Sequence, residues 1–187
     1  DPAMEEVAGV MGSCTDRLRL GEIDSGSRRG GVADVDLGAL GAEVTEFYAP
    51  VAELKDIALG FDGPESLHVV GDAVLLAQAL GNMVDNALKY APVRGAIAIS
   101  ARRIDADTVH IVVADNGPGI PSHERIRVIE RFYRMDASRG RPGGERGVSV
   151  VAAVARLHGG ALALEDNQPG LRATLRVGSM PMAGALG

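Results

Sequence analysis

The sequence of 187 residues has few aromatic residues and almost no cysteine: aromatic residues make up 3% of it, tryptophan is absent, and Cys14 is the only cysteine. A core built from this chain must therefore rely on valine, leucine, isoleucine and alanine. A single cysteine cannot form an internal disulfide, which fits a reducing compartment. Hydrophobic residues at 46% and charged residues at 24% are ordinary for a globular protein, so the composition argues against a disordered chain.

Long apolar runs and basic stripes are missing as well. No stretch approaches the roughly 18 apolar residues that a membrane-spanning helix needs, and the first residues lack the apolar region of a signal peptide. The formal net charge is −6, whereas nucleic-acid binding normally requires a basic face. We therefore expect a cytoplasmic domain that contacts neither nucleic acid nor membrane directly.

The spacing of apolar residues divides the chain into segments. Residues 5–25 carry apolar side chains at intervals of three to five, which indicates an amphipathic helix. The residues at 26–31 are rich in glycine and serine and predict a flexible linker. We expect the main domain at 32–177 and a flexible tail at 178–187. A domain of this size buries roughly two thirds of its unfolded surface, which is enough for a core.

The main domain alternates strands and helices, with Asp36 and Asp72 as suitable N-caps for the first two helices. Strands are predicted at about 32–35, 57–61, 67–70, 96–102, 108–114, 161–165 and 171–177, and helices at about 37–54, 72–90, 122–134 and 147–158. In the last strand Thr174 belongs to a polar alternation that predicts an exposed face. His158 stands at the end of the last predicted helix, and we interpret it as a residue that interacts with the helix dipole. This order of elements predicts an α/β two-layer sandwich with a mixed sheet packed against helices.

The helix predicted at 72–90 carries a row of polar side chains. Gln78, Asn82, Asn86 and Lys89 follow one another at spacings of four, four and three, so they lie on one side of the helix, apart from its apolar stripe. The amide oxygen of Asn86 is a suitable Mg²⁺ ligand when phosphates and waters supply the others. Lys89 is positioned to offset phosphate charge. A solvated helix face would show the same pattern, so this row alone does not establish a site.

A turn that follows directly after a predicted strand carries the second group of candidates. Residues 115–121 read Asp-Asn-Gly-Pro-Gly-Ile-Pro, and Gly117 and Gly119 let the backbone turn sharply and approach a flat ligand. The Asp115 carboxylate can accept a hydrogen bond from the exocyclic amino group of adenine, whereas guanine presents an acceptor at that position. A plain turn is the alternative interpretation.

Two further segments are weak indications individually: 130–134 (Glu-Arg-Phe-Tyr-Arg) and 143–147 (Gly-Gly-Glu-Arg-Gly). The second precedes a predicted helix, whose N-terminus favours phosphate. In chain order, the four segments resemble the four motifs of the histidine kinase catalytic domain. Residues 82–90 (Asn-Met-Val-Asp-Asn-Ala-Leu-Lys-Tyr) resemble the N box, 115–121 the G1 box, 130–134 the F box and 143–147 the G2 box. The resemblance extends over about residues 32–177.

This resemblance implies the Bergerat fold, shared with gyrase-type ATPases, and an ATP–Mg²⁺ site between the helix at 72–90 and a lid at about 135–147. The resemblance implies that Asn86 binds Mg²⁺, that Asn82 and Lys89 are catalytic residues near the phosphates, and that Tyr90 packs by the nucleotide. It implies that Asp115 recognises adenine, that Gly117 and Gly119 shape the pocket, and that Ile120 is a further nucleotide-binding residue. Gly143 and Gly147 are the implied hinges of the lid, and Thr174 is an implied contact on the adenine side. The implied function is transfer of the γ-phosphoryl group of ATP to a histidine on a dimerisation helix. A response-regulator receiver domain is the implied next acceptor.

Departures from the family pattern leave alternatives open. No histidine precedes Ser25, so the segment 5–25 corresponds only to the end of a dimerisation helix, and we expect the phosphoacceptor to lie outside this chain. Glu145 stands where the family expects the middle glycine of the G2 box; a carboxylate there repels phosphates, although Arg146 can compensate. A pseudokinase with weakened ATP binding is therefore an alternative. An anti-sigma-factor-type serine kinase, which shares the fold, is a second alternative, and the partial dimerisation helix argues against it. A gyrase-like ATPase is disfavoured because Asn82 occupies the position of the hydrolytic glutamate and cannot act as a general base.

Overall fold

The computed structural model describes residues 31–125, 127 and 146–180. Its elements in chain order are β1 (Val32–Asp36), α1 (Leu37–Leu54), β2 (Ala58–Asp62), β3 (His68–Asp72), α2 (Ala73–Tyr90), β4 (Ala96–Arg103), β5 (Thr108–Asp115), α3 (Arg146–Leu157), β6 (Ala161–Asp166) and β7 (Leu171–Gly178). The predicted helix at 5–25 and the tail beyond residue 180 lie outside the described residues. The domain boundaries therefore stay predictions.

The strands form two sheets. β1 pairs antiparallel with β3, and the larger, five-stranded sheet has the order β2-β4-β5-β7-β6. In the larger sheet β2 is parallel to β4, and the other neighbours are antiparallel. All three helices pack against this sheet or against one another. The predicted α/β two-layer sandwich with a mixed sheet is confirmed, whereas the separate pairing of β1 with β3 was not part of the prediction.

The helices begin and end at the residues that their capping patterns indicate. Oδ1 of Asp36 accepts hydrogen bonds from two backbone amides in the first turn of α1, and Oδ1 of Asp72 does the same for α2. These bonds satisfy amides that have no partner within the helix. After α3 the chain turns at Gly159, whose φ of +66° favours glycine. No helix among the described residues is long and apolar enough to cross a membrane.

The core lies between the helices and the larger sheet and is aliphatic, as the composition requires. Its largest fully buried aliphatic side chains are Leu37, Val44, Leu76, Leu80, Val84, Leu88, Ile99, Val109, Ile111 and Leu175. The apolar stripe of α2 is therefore buried as predicted, which leaves the polar row of the same helix for another surface. Burial of each such side chain contributes about 1.5–3 kcal/mol. Tyr48 of α1 is buried with them.

The predicted alternation in β7 fails at Thr174. Arg172 and Arg176 are exposed, but only 9% of the Thr174 surface is accessible. In the register Thr174 lies between Val112 of β5 and Ala163 of β6. Because β7 has a paired strand on each side, its neighbours shield a short side chain at its middle, whereas the longer arginine side chains reach past them into solvent.

His158 follows α3 directly and is fully buried. Its Nδ1 lies 2.8 Å from the carbonyl oxygen of Val154, and its Nε2 lies 3.0 Å from the backbone nitrogen of Asp72. A carbonyl only accepts and an amide only donates, so these partners assign the proton to Nδ1 and make the ring neutral. The helix-dipole explanation requires a cation and is therefore wrong. Instead, His158 connects the end of α3 to the start of α2.

Asp36 also connects two elements, because its Oδ1 accepts a third hydrogen bond, from the backbone amide of Leu67 at 3.0 Å. The hydrogen bond from Leu67, with weaker contributions from the first turn of α1, holds the pKa of Asp36 below its ordinary value of 3.8. We expect Asp36→Ala to lower the free energy of unfolding by about 1–2 kcal/mol at pH 7, as measured by urea denaturation.

The depressed pKa of Asp36 gives this contribution a defined pH dependence. A group with a lowered folded-state pKa stabilises the fold above its unfolded pKa, and the contribution disappears as the pH falls through the folded-state pKa. Asp36→Asn keeps a capping oxygen but does not titrate. We therefore expect Asp36→Asn to be less stable than wild type at pH 7, and the difference to shrink below the ordinary value of 3.8. A difference that stays constant on acidification would contradict this role.

Candidate functional site

The polar row on α2 occupies the side of the helix that the core leaves free. Gln78, Asn82 and Asn86 are half-buried and Lys89 is exposed, so accessibility increases toward the C-terminal end of the row. The amides of the first three side chains can donate and accept hydrogen bonds, and Lys89 adds a positive charge. The row thus combines a half-buried polar surface with one cation.

Contacts from α1 and the segment after it fix the position of α2. The hydroxyl of Tyr48 donates to Oδ2 of Asp85 at 3.1 Å, next to Gly81, whose missing side chain leaves room for that hydroxyl. Further along, Nζ of Lys55 donates to the carbonyl oxygen of Leu88. Burial lowers the pKa of Lys55. Asp85 and Leu88 lie on either side of Asn86 in sequence, so these contacts fix the direction in which the polar row faces.

Asp115 is the last residue of β5 and is buried, with 6% of its surface accessible. Its Oδ1 accepts hydrogen bonds from the backbone amides of Gly117 at 2.9 Å and Leu171 at 3.3 Å. Among the described residues, both hydrogen bonds donated to this carboxylate go to Oδ1. Oδ2 is therefore the oxygen available to a ligand, and the two amides prevent the carboxylate from rotating away.

The loop after Asp115 is packed so tightly that glycine is required in it. A Cβ at Gly117 would lie 2.8 Å from the carbonyl oxygen of Tyr90 and 3.1 Å from Oδ1 of Asp115. Gly119 has a φ of +73°, and a Cβ there would lie 2.7 Å from the carbonyl oxygen of Gly170. The loop is thus held between the C-terminal end of α2 and the turn between β6 and β7.

These contacts bring two groups of predicted residues together. Since Gly117 touches the backbone of Tyr90, the end of the polar row on α2 lies next to the loop that begins at Asp115. Tyr90 is 58% exposed, and Nζ of Lys89 lies 5.5 Å from the centre of its ring. Ile120 is half-buried at the far end of the loop. The end of α2, with an exposed ring and a cation, therefore lies next to the loop that follows the buried carboxylate of Asp115.

Other predicted residues do not join this group. Val112 pairs with Thr174 and Val113 with Ala173, so Thr174 lies on the opposite face of the sheet from Asp115, because side chains alternate along a strand. The predicted adenine-side contact of Thr174 does not agree with this register, and we leave it out of the site. Gly147 lies in the first turn of α3. Gly143 and Glu145 lie outside the described residues.

Sequence reasoning missed the contribution of the turn between β6 and β7. Nδ2 of Asn167 donates to the main-chain oxygen of Asp115 at 2.8 Å, in addition to the bond from Leu171 to the carboxylate. The only indication in the sequence was the Gln-Pro-Gly turn at 168–170, which predicts a reversal of the chain but not what it contacts. Strand pairing over more than 50 positions of sequence brings these residues together.

Comparison with known proteins shows the family to which the chain belongs. A family model described as histidine kinase-, DNA gyrase B- and HSP90-like ATPase matches residues 71–183, which is more than half of the chain. The chain belongs to this family. The match includes α2 and the loop after Asp115.

Relatives of the chain within this ATPase family include histidine-protein kinases. The chain is 45% identical over 103 residues to the signal transduction histidine-protein kinase/phosphatase MprB of Mycolicibacterium paratuberculosis, and 43% identical over 105 residues to that of Mycobacterium leprae. These matches cover 55% and 56% of the chain but only 20% of each relative. The chain thus spans about a fifth of the length of these relatives.

The chain is also similar to solved structures of histidine kinases. A mycobacterial sensor histidine kinase MprB matches with a TM-score of 0.65 and 30% identity, covering 81% of this chain and 100% of that chain. The ATP-binding domain of PrrB from Mycobacterium tuberculosis matches with a TM-score of 0.64 and 28% identity, covering 80% and 98%. The chain is a histidine kinase ATP-binding catalytic domain, and the prediction from the four motifs is confirmed. The pseudokinase and serine kinase alternatives are not favoured.

Proposed function

We propose that this domain binds ATP with Mg²⁺ and transfers its γ-phosphoryl group to a histidine on the dimerisation helices of a parent sensor kinase. The observation that carries the proposal is the fixed carboxylate of Asp115 beside the C-terminal end of the polar row on α2. The carboxylate supplies a recognition element for the base, and the row supplies polar groups for the phosphates. Because the chain belongs to an ATPase family, the nucleotide in this proposal is ATP.

Asp115 reads adenine through the oxygen that its neighbours leave open. Oδ1 is held by two backbone amides, so Oδ2 accepts a hydrogen bond from the 6-amino group of adenine. Guanine has a carbonyl oxygen at the same position, and two acceptors facing each other repel. Burial of Asp115 excludes water that would otherwise weaken this interaction. The exposed ring of Tyr90 packs beside the nucleotide.

The side chains present fit a magnesium ion that is bound largely by the nucleotide. Asn86 is half-buried in the polar row and offers an amide oxygen, and no cluster of three or more His, Cys, Asp or Glu that could hold a metal occurs in the described ranges. Mg²⁺ prefers six oxygen ligands and commonly takes them from phosphates and water, with few from protein. When bound, the ion would neutralise phosphate charge. Asn86 would hold it.

Asn82 favours transfer of the phosphoryl group to an acceptor other than water. It lies one helical turn before Asn86, where an amide can bind phosphate oxygens but cannot remove a proton from water. The site therefore keeps ATP from hydrolysis and presents its γ-phosphate to an acceptor from outside the domain. Lys89 offsets phosphate charge, and catalysis rests on positioning and charge stabilisation. Gly143 and Gly147 would allow the segment before α3 to close over the nucleotide.

We further propose that the phosphoryl group passes from the histidine to an aspartate of a response-regulator receiver domain, in the cytoplasm. The histidine kinase ThkA has been solved in complex with the response regulator TrrA and shares the fold of this chain at a TM-score of 0.67 and 21% identity. Neither nucleic acid nor direct membrane contact is part of the proposal.

The test supplies the missing acceptor. We expect the chain, mixed with a phosphoacceptor-helix protein and γ-labelled ATP with Mg²⁺, to label the acceptor histidine. Asn86→Ala and Asp115→Asn should each reduce the initial rate by roughly 10- to 100-fold, since each removes a charge-assisted contact worth about 1.5–3 kcal/mol. Asp62→Asn is the matched control, because Asp62 ends β2 as Asp115 ends β5, yet it is exposed. No labelling by wild type, or equal labelling by all three variants, would refute the proposal.

A further inference from the structure

Asn167, in the turn between β6 and β7, forms a hydrogen bond with the main chain of Asp115. Its Nδ2 is 2.8 Å from the main-chain oxygen of Asp115. A carbonyl oxygen only accepts hydrogen bonds, so the nitrogen of the Asn167 amide group, and not its oxygen, must face it. The backbone of Asn167 is fixed in turn, because its N–H donates to the carbonyl oxygen of Gly170 at 3.0 Å.

The position of Asn167 matters because regular pairing between β5 and β7 stops just before Asp115, although Asp115 still pairs with Ile97 of β4 on its other side. The ladder between β5 and β7 ends with Ala114 opposite Arg172. On that side of Asp115 the next hydrogen bonds come from the Asn167 side chain to the carbonyl and from the Leu171 amide to Oδ1. The turn therefore holds both the main chain and the carboxylate of Asp115.

We infer that Asn167 is a positioning residue for nucleotide selectivity. By holding the main chain of Asp115, it sets the direction in which Oδ2 meets the 6-amino group of adenine. The inference rests on the proposed function, in which Asp115 reads that group. Asn167 itself does not touch the nucleotide. Because hydrogen bonds weaken steeply with angle, a loosened Asp115 loses affinity for the amino group before the domain loses its fold.

A comparison of two nucleotides separates positioning from general stability. The chain is titrated, in the presence of Mg²⁺, with ATP and with the analogue that carries hydrogen in place of the 6-amino group. We expect wild type to bind ATP about tenfold more tightly than the analogue. Asn167→Ala and Asn167→Asp should weaken ATP binding about tenfold, since neither side chain donates to the Asp115 carbonyl. Binding of the analogue should stay within about twofold.

Asp166→Ala is the matched control in the same turn. Oδ1 of Asp166 accepts a hydrogen bond from the backbone amide of Gln168 at 3.1 Å, so the variant perturbs the turn without removing a side chain bonded to Asp115. Its affinities for both nucleotides should stay within about twofold of wild type.

The outcomes distinguish this inference from the proposed function. If the Asn167 variants weaken both nucleotides equally, or leave ATP affinity unchanged, Asn167 has no positioning role and the inference is overturned. In that case Asp115→Asn still removes the preference for ATP over the analogue if the proposed function holds. If wild type binds both nucleotides equally well, the role of Asp115 is wrong, and both proposals fail together.

Discussion

Replacing Gly170 by alanine is expected to lower the free energy of unfolding by roughly 3–5 kcal/mol and to abolish detectable ATP binding. Gly170 has a φ of +110°, which side-chain-bearing residues rarely adopt, and a Cβ there would lie 1.8 Å from the carbonyl oxygen of Asp115 and 2.8 Å from Cα of Asn116. Backbone atoms cannot move aside as a flexible side chain would. The loop that carries the adenine-reading carboxylate must therefore shift away from the turn.

Gly60→Ala provides the control for Gly170→Ala. Gly60 lies in edge strand β2, its φ is not in the left-handed region, and no atom lies within 4 Å of a Cβ added there. We expect this variant to unfold within about 0.5 kcal/mol of wild type and to bind ATP normally. Urea denaturation and nucleotide titration measure both effects. Normal ATP affinity in Gly170→Ala would show that the turn does not hold the loop.

Features that depend on neighbours in sequence could be predicted from the chain alone. The first two helices begin directly after their N-caps, Asp36 and Asp72, because a capping carboxylate satisfies amides only two and three residues away. The polar row on α2 follows from helical periodicity in the same way. The glycines at 117 and 119 were predicted to let the loop approach a flat ligand, which stays a prediction; the structure shows that they also allow close packing against the backbones of Tyr90 and Gly170.

Features that depend on pairing between distant segments could not be predicted. Which strands neighbour β7 determines that Thr174 is buried and faces away from Asp115, and the sequence contains no local indication of that register. The partners of Asp115 are likewise distant, since Asn167 and Leu171 follow it by 52 and 56 positions. Alternation within one strand shows which residues share a face, but not which face meets the helices.

The neutral ring of His158 is another feature that depends on a distant segment and could not be predicted from the sequence. A histidine at a helix end suggests a cation that interacts with the helix dipole. Its actual partner, the backbone amide of Asp72, is 86 positions away in sequence. Gly71, next to Asp72, leaves room for the ring, because a Cβ there would lie 2.8 Å from Nε2. His158 thus stabilises the junction at which β3 ends, α2 begins and α3 ends.

His158→Ala is expected to lower the free energy of unfolding by roughly 3–5 kcal/mol, because it leaves a cavity and two buried backbone groups without partners. The corresponding fall in melting temperature is about 10 °C for a domain of this size. His158→Phe fills most of the volume but has no ring nitrogen. Its expected loss of about 2–3 kcal/mol isolates the hydrogen bonds to Asp72 and Val154.

His123→Ala is the reference for these two variants, since the His123 side chain is 75% exposed and its replacement should cost at most about 0.5 kcal/mol. If His158→Phe were as stable as wild type, packing alone would account for the stability that His158 contributes, and its hydrogen bonds would contribute nothing net. If both His158 variants matched His123→Ala, the junction would not be part of the cooperative fold. We expect the loss of unfolding free energy in His158→Phe to lie between the losses in His123→Ala and His158→Ala. That result would support a stabilising role for both ring nitrogens. Because one of them bonds to Asp72, it would also mean that His158 stabilises the start of the helix that carries Asn82 and Asn86.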